Sequence, residues 1–444
     1  MSEDKGGHAR AQERERDHVY RSSFFLMAST ATTAGLGFVF WVVVARFYSP
    51  EQVGLATSLI SATSLISYLS LFGLNSTLIR FPAPAPARNG QLTQSISLVG
   101  AVSFMIAAAY LLCLPLYAPK LVFVRDHLPA ATAFVVFCIC AAVSQLTFSV
   151  FVSARLAHQN ALVYGLLQGL VKLALPVALV GYGSVGILGS TGGGFAVTAL
   201  VSLFLMHRRL GFRFDFRTRG TRLREQLRFS VANYVTSLLN LVPQLAIPLI
   251  VLHQLGAAAA GYYYVAFQIA SLLNSVSFSI GEALFAEGSN DPSRIGPLLR
   301  KTALVTAGLM VPAAAVVAAA GGLILRLFGG SYAAEARPLL IAFALGALAV
   351  ALSSWSNFAL KLTRQIGQLI INNSVHATVS ISLAFLWAPR GLVWIGWAWG
   401  AGNLASGLVA LGALLTHRRR SPAAAQEPEP GPDPSPSRAM ETNR

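Results

Sequence analysis

Charge is what this chain has least of. Asp and Glu number 17 and Lys and Arg 33 in 444 residues, 11% together, whereas soluble domains carry about 25%. With 55% hydrophobic residues, that deficit excludes an ordinary soluble domain and points to a polytopic membrane protein. Cysteine is nearly absent: Cys113, Cys138 and Cys140 fall inside apolar runs without metal-type spacing, so they read as small apolar residues and specify no redox compartment. No GxxxxGK[ST] phosphate loop occurs, which excludes an ATP-driven pump on one chain. No His/Asp/Glu cluster has metal spacing, no Ser, His and Asp set stands out, and every connecting loop is short. An enzyme is therefore not expected, nor a cofactor. No small-residue cleavage site follows the first apolar stretch, so that stretch is expected to remain as an anchor.

What is present is a series of long apolar runs. A hydrocarbon core of roughly 30 Å needs about 20 residues of helix, and such runs can be placed twelve times: 22–45, 52–79, 95–117, 128–151, 160–182, 185–206, 229–251, 261–286, 302–328, 334–360, 367–387 and 392–415. The expected fold is an all-α polytopic membrane protein of about twelve transmembrane helices in two six-helix lobes. Lys and Arg concentrate on the cytoplasmic side of such proteins. Alternating the sides from an inside N-terminus puts 26 of the 33 cations in inside segments and six in outside loops, Arg46, Lys120, Arg125, Arg326, Arg337 and Arg390. Both termini are thus expected in the cytoplasm of a plasma-membrane protein. The formal charge of +16 follows this topological pattern instead of forming a nucleic-acid-binding stripe.

The expected division is a disordered N-tail 1–21, an N-lobe 22–206, a basic cytoplasmic linker 207–228, a C-lobe 229–416 and a disordered Pro-rich C-tail 417–444. Both tails lack the apolar periodicity needed to bury a core. The linker reads as a solvated connector, with a grip on anionic lipid headgroups as its alternative. A weak internal repeat supports the six-and-six split: Arg46–Arg80 aligns with His253–Glu287 at a constant offset of 207, pairing Gly54 with Gly261, Leu65 with Leu272 and Ser70 with Ser277. Units of six helices share orientation, so an axis along the membrane normal would relate them.

One residue breaks the apolar pattern at depth. Lys172 lies near the middle of the run 160–182, roughly 15 Å or more from either surface at about 1.5 Å per residue, beyond the reach of a snorkelling lysine. A charge there costs roughly 2.5 to 3.5 kcal/mol on insertion scales. Its side chain is expected to face water or an anion inside the protein. Glu282 is the only acid inside a predicted span, close to the cytoplasmic end of the eighth; it is a candidate for proton or cation coupling, or an interfacial partner of a cation. Gln145, Gln168, Asn233, Asn240, Gln244, Gln268 and Asn274 also lie within spans, where an amide needs a partner or water. Each reads as an interhelical hydrogen bond or as part of a hydrated path. Gly189 and Gly193, with Pro176, Pro243, Pro248 and Pro312, mark close packing or hinges.

The run Trp41-Val-Val-Val-Ala-Arg-Phe-Tyr-Ser-Pro-Glu-Gln-Val-Gly54, followed by Leu71-Phe-Gly-Leu-Asn-Ser-Thr-Leu-Ile-Arg-Phe81, resembles the first two helices of Wzx-type polysaccharide flippases. These belong to the multidrug/oligosaccharidyl-lipid/polysaccharide (MOP) exporter superfamily. The resemblance extends more loosely over residues 22–416, including Ala283-Leu-Phe-Ala-Glu-Gly-Ser289. It implies two six-helix lobes around an alternating-access cavity that carries a polyprenyl-diphosphate-linked oligosaccharide from the inner to the outer leaflet for cell-surface polysaccharide. The implied partners are that lipid-linked glycan, membrane lipids, and a polysaccharide polymerase or glycosyltransferases. Lys172 is then the first candidate for the diphosphate, with Arg46 and Arg80 as further candidates. Those two arginines sit at the ends of their helices, not at the centres as is usual in the family, so the reading of each as an interfacial anchor comes before that of a release-side cation (Arg46) or a headgroup-capture residue (Arg80). A cation-coupled drug exporter of the same superfamily is the rival; it would hold an acid deep in the first lobe, where this chain has a lysine. An intramembrane glycosyltransferase or ligase is the remote alternative, and the outside loops are too poor in polar residues to suit it.

Overall fold

The computed structural model describes residues 34–80, 82–83, 85–154, 156–215, 223–290 and 295–420. The tail 1–21, the first half of the span 22–45, part of the linker 207–228, and residues 421–444 lie outside them. Among the described residues every regular element is helical. Eleven helices are long and apolar enough to span a bilayer, and the apolar helix α1, Ala34–Phe47, occupies the described part of the remaining predicted span. Large apolar side chains such as Leu112, Leu116, Leu128 and Leu323 face outward with most of their surface exposed, as a lipid-facing belt requires.

Helix α2, Pro50–Leu71, is the axis on which the rest is hung. Ser49 opens it with a capping box: its hydroxyl accepts from the Gln52 amide at 3.3 Å and its own amide donates to the Gln52 side chain at 3.1 Å, with Pro50 supplying the first helical φ. Seven of its residues are Ser or Thr, yet most of the helix is buried. Thr57, Ser58, Thr63, Ser67 and Ser70 donate back to carbonyls three or four residues earlier, so burying them leaves no hydroxyl proton unmet. The predicted span 52–79 is not one helix. Phe72 and Gly73 both adopt positive φ, 45° and 78°, which ends α2 and restarts the chain as α3, Leu74–Arg80; two successive left-handed residues cannot continue a right-handed helix.

The N-terminal set is completed by α4, Ala85–Tyr117, the short α5, Val122–Asp126, α6, Leu128–Ser153, α7, Ala157–Asn160, α8, Gln168–Ala178, and α9, Gly183–Leu210. The fifth span, 160–182, departs from a plain helix: a π-helical stretch, Ala161–Leu167, joins α7 to α8. The C-terminal set comprises α10, Leu223–Gln254, α11, Ala257–Asn290, α12, Ile295–Arg326, the short α13, Gly330–Glu335, α14, Arg337–Leu362, α15, Ile366–Trp387, and α16, Leu392–Arg420. Each set packs mainly on itself, through α6 with α9 and α14 with α16, while α2 crosses to meet α10 and α11.

That crossing joins the two glycines paired by the repeat. A Cβ on Gly54 would fall on the carbonyl oxygen of Ala257, and one on Gly261 would fall on the carbonyl oxygen of Pro50. Only residues without a side chain allow two helix backbones so near. Around this contact, at the end of the bundle that carries Arg46, Lys120 and Arg390, one apolar core runs through both lobes; it includes Trp41, Leu59, Phe134, Tyr263, Phe328, Phe343 and Trp399. At the opposite, cation-rich end the cores are separate, one around Leu71, Leu146 and Phe151 and one around Leu360, Leu369 and Leu414.

Candidate functional site

Lys172 sits on α8 one turn before Pro176. A proline at that position removes the amide that would bond the Lys172 carbonyl and pushes the turn open. The Pro176 carbonyl in turn accepts from the Tyr48 hydroxyl at 2.7 Å, fixing α8 to the end of α1. Across from it, α9 presents glycine: a Cβ on Gly194 would lie 2.7 Å from Cγ of Lys172. The lysine stem is thereby laid along a bare strip of α9, and its Nζ lies 4.5 Å from the centroid of the Phe195 ring, in cation–π range.

The lysine opens into a cavity of about 400 Å³ between the lobes, walled by α1 from Leu36 to Trp41, Ile60 and Ser64 of α2, Tyr164, Gln168, Thr191 and Phe195 on the N-terminal side, and Tyr264, Gln268 and Ser271 of α11 on the other. That volume lies in the range of small-molecule sites. Among the described residues no acidic side chain lines it, so these walls supply a positive charge and no counter-charge. Tyr164 is tied back into the N-terminal set by Thr147 at 2.6 Å, the Ser144 carbonyl at 2.9 Å and Ser202 at 3.1 Å, which holds the π-helical turn as a rigid wall. The Thr191 hydroxyl is buried without a partner among the described residues.

The candidates divide sharply. Lys172, Gln168 and Gln268 are brought together in this cavity. Asn240 lines a second, smaller cavity nearer the cation-rich end. Gln145, Gln244 and Asn274 line neither; Asn274 is buried, its side-chain oxygen without a partner among the described residues. Arg46 is exposed at the cation-poor end and donates to the Leu327 and Arg326 carbonyls at 2.8 and 3.2 Å. It caps the last turn of α12 from the opposite lobe instead of facing the cavity. Arg80 is exposed at the end of α3, away from both cavities. Glu282 is exposed on α11 and its charge acts on Lys361 of α14. Asn233 falls where only the backbone is described.

Several wall residues carry no sequence signal of their own. Trp41, Phe195, Tyr264 and Thr191 are unremarkable in apolar helices, and only the packing of α1, α9 and α11 turns them inward. Lys361, one residue past the predicted span 334–360, lines the second cavity with Asn357 and Asn373. His376 lies within the predicted span 367–387 without marking it out; it is buried, 3.4 Å from the Ser380 hydroxyl and edge-on to Trp399 at 5.3 Å between centroids. Those contacts lie inside the C-terminal set, and it lines neither cavity. Among the described residues no group of three His, Cys, Asp or Glu could hold a metal ion.

Two helical sets around a cavity in which Lys172 is the one charged lining residue among the described residues have the architecture of a multi-pass membrane transporter. Residues 19–285, more than half of the chain, match the polysaccharide biosynthesis protein family (Polysacc_synt), and the chain belongs to that family. Its fold is similar to that of the lipid II flippase MurJ in an inward closed conformation, with a TM-score of 0.73 at 13% identity over 88% of this chain and 87% of that one. An inward-facing multidrug-resistance MATE transporter of the MOP superfamily matches at a TM-score of 0.68, 13% identity, 89% and 96% coverage. A MOP-superfamily transporter from Pyrococcus furiosus, described as having a binding pocket of reverse polarity, matches at 0.57, 13%, 92% and 96%. Among curated protein sequences none matches significantly.

Proposed function

We propose that the protein flips a polyprenyl-diphosphate-linked oligosaccharide from the inner to the outer leaflet of the plasma membrane by alternating access, in the biosynthesis of a cell-surface polysaccharide. The lobes are residues 22–206 and 229–416, and both termini face the cytoplasm, where the cation-rich end lies. The observation that carries the reading is Lys172: a cation at mid-depth in an interlobe cavity whose lining contains no acid. A diphosphate cannot enter hydrocarbon without a counter-charge, and a buried lysine without an anion carries a desolvation cost of its own. Bringing the two together lowers both. Gln168 and Gln268 flank the charge as donors to phosphate oxygens, and the polyprenyl tail stays in the lipid beside the seam.

Membership of a polysaccharide biosynthesis family supports a glycan-bearing cargo, and the likeness to MurJ supports a lipid-linked one. Polymerase and glycosyltransferase partners follow from the cargo, which must be made on one face and extended on the other. A small-molecule exporter remains the rival class, and an acid facing the cavity would favour it. The test is lipid extraction from cells lacking the protein, with mass spectrometry for polyprenyl-diphosphate oligosaccharides. These are expected to accumulate, and to clear on complementation by the wild type but not by Lys172→Met. Clearance by the Met variant would remove the lysine from the mechanism, and no accumulation despite intact glycan synthesis would favour the exporter.

A further inference from the structure

The second cavity, about 310 Å³, lies nearer the cation-rich end, and its chemistry differs from that of the first. Its walls come from α10, α11, α14 and α15 of the C-terminal set, with Tyr68 of α2 closing it from the other lobe. Where the Lys172 cavity offers charge among apolar and aromatic walls, this one offers amides and hydroxyls: Asn240, Asn357, Asn373, Thr236, Ser237 and Ser354.

Some of these groups are locked and others left open. Asn372 donates to the Asn357 side-chain oxygen at 3.0 Å from behind the wall, and Asn373 donates to the Thr236 carbonyl at 3.1 Å. Those bonds orient the amides. The Asn373 oxygen and the Ser354 hydroxyl are buried and have no partner among the described residues. A buried acceptor or hydroxyl left open needs a ligand or water to complete it. Tyr68 and Phe278 supply ring faces beside them, and Lys361 stands at the rim, its Nζ 4.8 Å from the Phe358 centroid.

We infer that this second cavity is a saccharide site, taking the hydroxyl-rich sugar units of the cargo while Lys172 holds its diphosphate. Each pyranose hydroxyl both donates and accepts, and an array of oriented amides and hydroxyls beside aromatic faces answers both needs. A diphosphate would find a single rim cation there, one already under the opposing charge of Glu282. The cargo is thus divided along the seam, with the invariant part read by the N-lobe and the variable part by the C-lobe. Because α2 bears on both cavities, Ile60 and Ser64 on the first and Tyr68 on the second, one helix senses the occupancy of each.

This inference rests on the flippase reading, and the experiment separates the two. Purified full-length protein in nanodiscs is titrated, by native mass spectrometry, with undecaprenyl diphosphate bearing no sugar and with the polyprenyl-diphosphate glycans extracted from source cells lacking the protein. Ser354→Ala removes a hydroxyl that has no partner among the described residues, so it breaks no hydrogen bond among them; Asn240→Ala is the second variant. Each is expected to weaken the glycan-bearing lipid about tenfold and to leave the bare diphosphate lipid within about twofold. Wild-type affinity for both lipids in both variants would overturn the inference, as would equal weakening of both lipids. Binding of neither lipid by the wild type would overturn the flippase reading itself.

Discussion

The two ends of the interlobe seam are held shut by different physics. At the cation-poor end the lobes share one apolar core, and the backbones of α2 and α11 touch at Gly54 and Gly261. At the cation-rich end the cores are separate, and the lobes meet through polar contacts: the Tyr234 hydroxyl donates toward the Leu69 and Tyr68 carbonyls at 3.0 and 3.3 Å, and the Tyr234 ring stacks on Tyr68 with centroids 5.6 Å apart. Apolar burial is collective and weighs roughly 25 cal/mol per Å², whereas a hydrogen bond nets only about 1 kcal/mol. The cation-poor end is therefore a seal and the cation-rich end a latch.

The largest effect is expected from breaking the seal. Gly261→Val places a branched side chain on the Pro50 carbonyl, a backbone atom with nowhere to retreat. Transport should fall to background while the protein still reaches the membrane, and a cysteine introduced as Tyr264→Cys should become reactive to an impermeant thiol reagent from outside. Gly54→Leu should act in the same way; unchanged transport in either variant would mean that the two glycines do not set the seal.

Releasing the latch should do less. Tyr234→Phe keeps the ring and loses the two carbonyl contacts, so labelling of Ser271→Cys from the cytoplasmic side should rise about fivefold, the equivalent of about 1 kcal/mol. No change would assign the latch to stacking alone. Arg46→Met, which uncaps α12 across the seal, should lower thermal stability by about 1 kcal/mol and leave the cargo affinity unaltered, with Arg46→Lys recovering part of the loss. A drop in affinity would restore Arg46 to the binding site. The smallest effect is expected from Glu282→Gln, since that carboxylate is exposed and lines neither cavity; transport should stay within about twofold with the same pH profile, and a shifted profile would make it a coupling group.

Much of this seam was legible in one dimension. Lys172 announced itself because charge in a long apolar run is costly and has few explanations, and Gln168, one helical turn away, shares its face. Gly54 and Gly261 were legible as a repeat pair, though an offset of 207 residues says nothing of contact; that emerges only when α2 and α11 cross. The break at Phe72–Gly73 was hidden because Leu, Phe and Ile continue the apolar run on both sides while the backbone turns left-handed. The π-helical turn before Lys172 likewise leaves hydrophobicity unchanged. The second cavity was least legible. Asn357 and Asn373 come from different helices, each amide alone reads as an interhelical bond, and Lys361 at a span end reads as a topology signal until α14 is seen beside α15 and α2.

The central claim, that Lys172 supplies the counter-charge for a diphosphate crossing the bilayer, is tested most directly in proteoliposomes. Polyprenyl-diphosphate glycan incorporated into the membrane is followed by its exposure to an impermeant periodate reagent. Wild-type protein should equilibrate the lipid between leaflets, Lys172→Arg should do so more slowly, and Lys172→Met should match protein-free vesicles. Equilibration at the wild-type rate by the Met variant would contradict the claim.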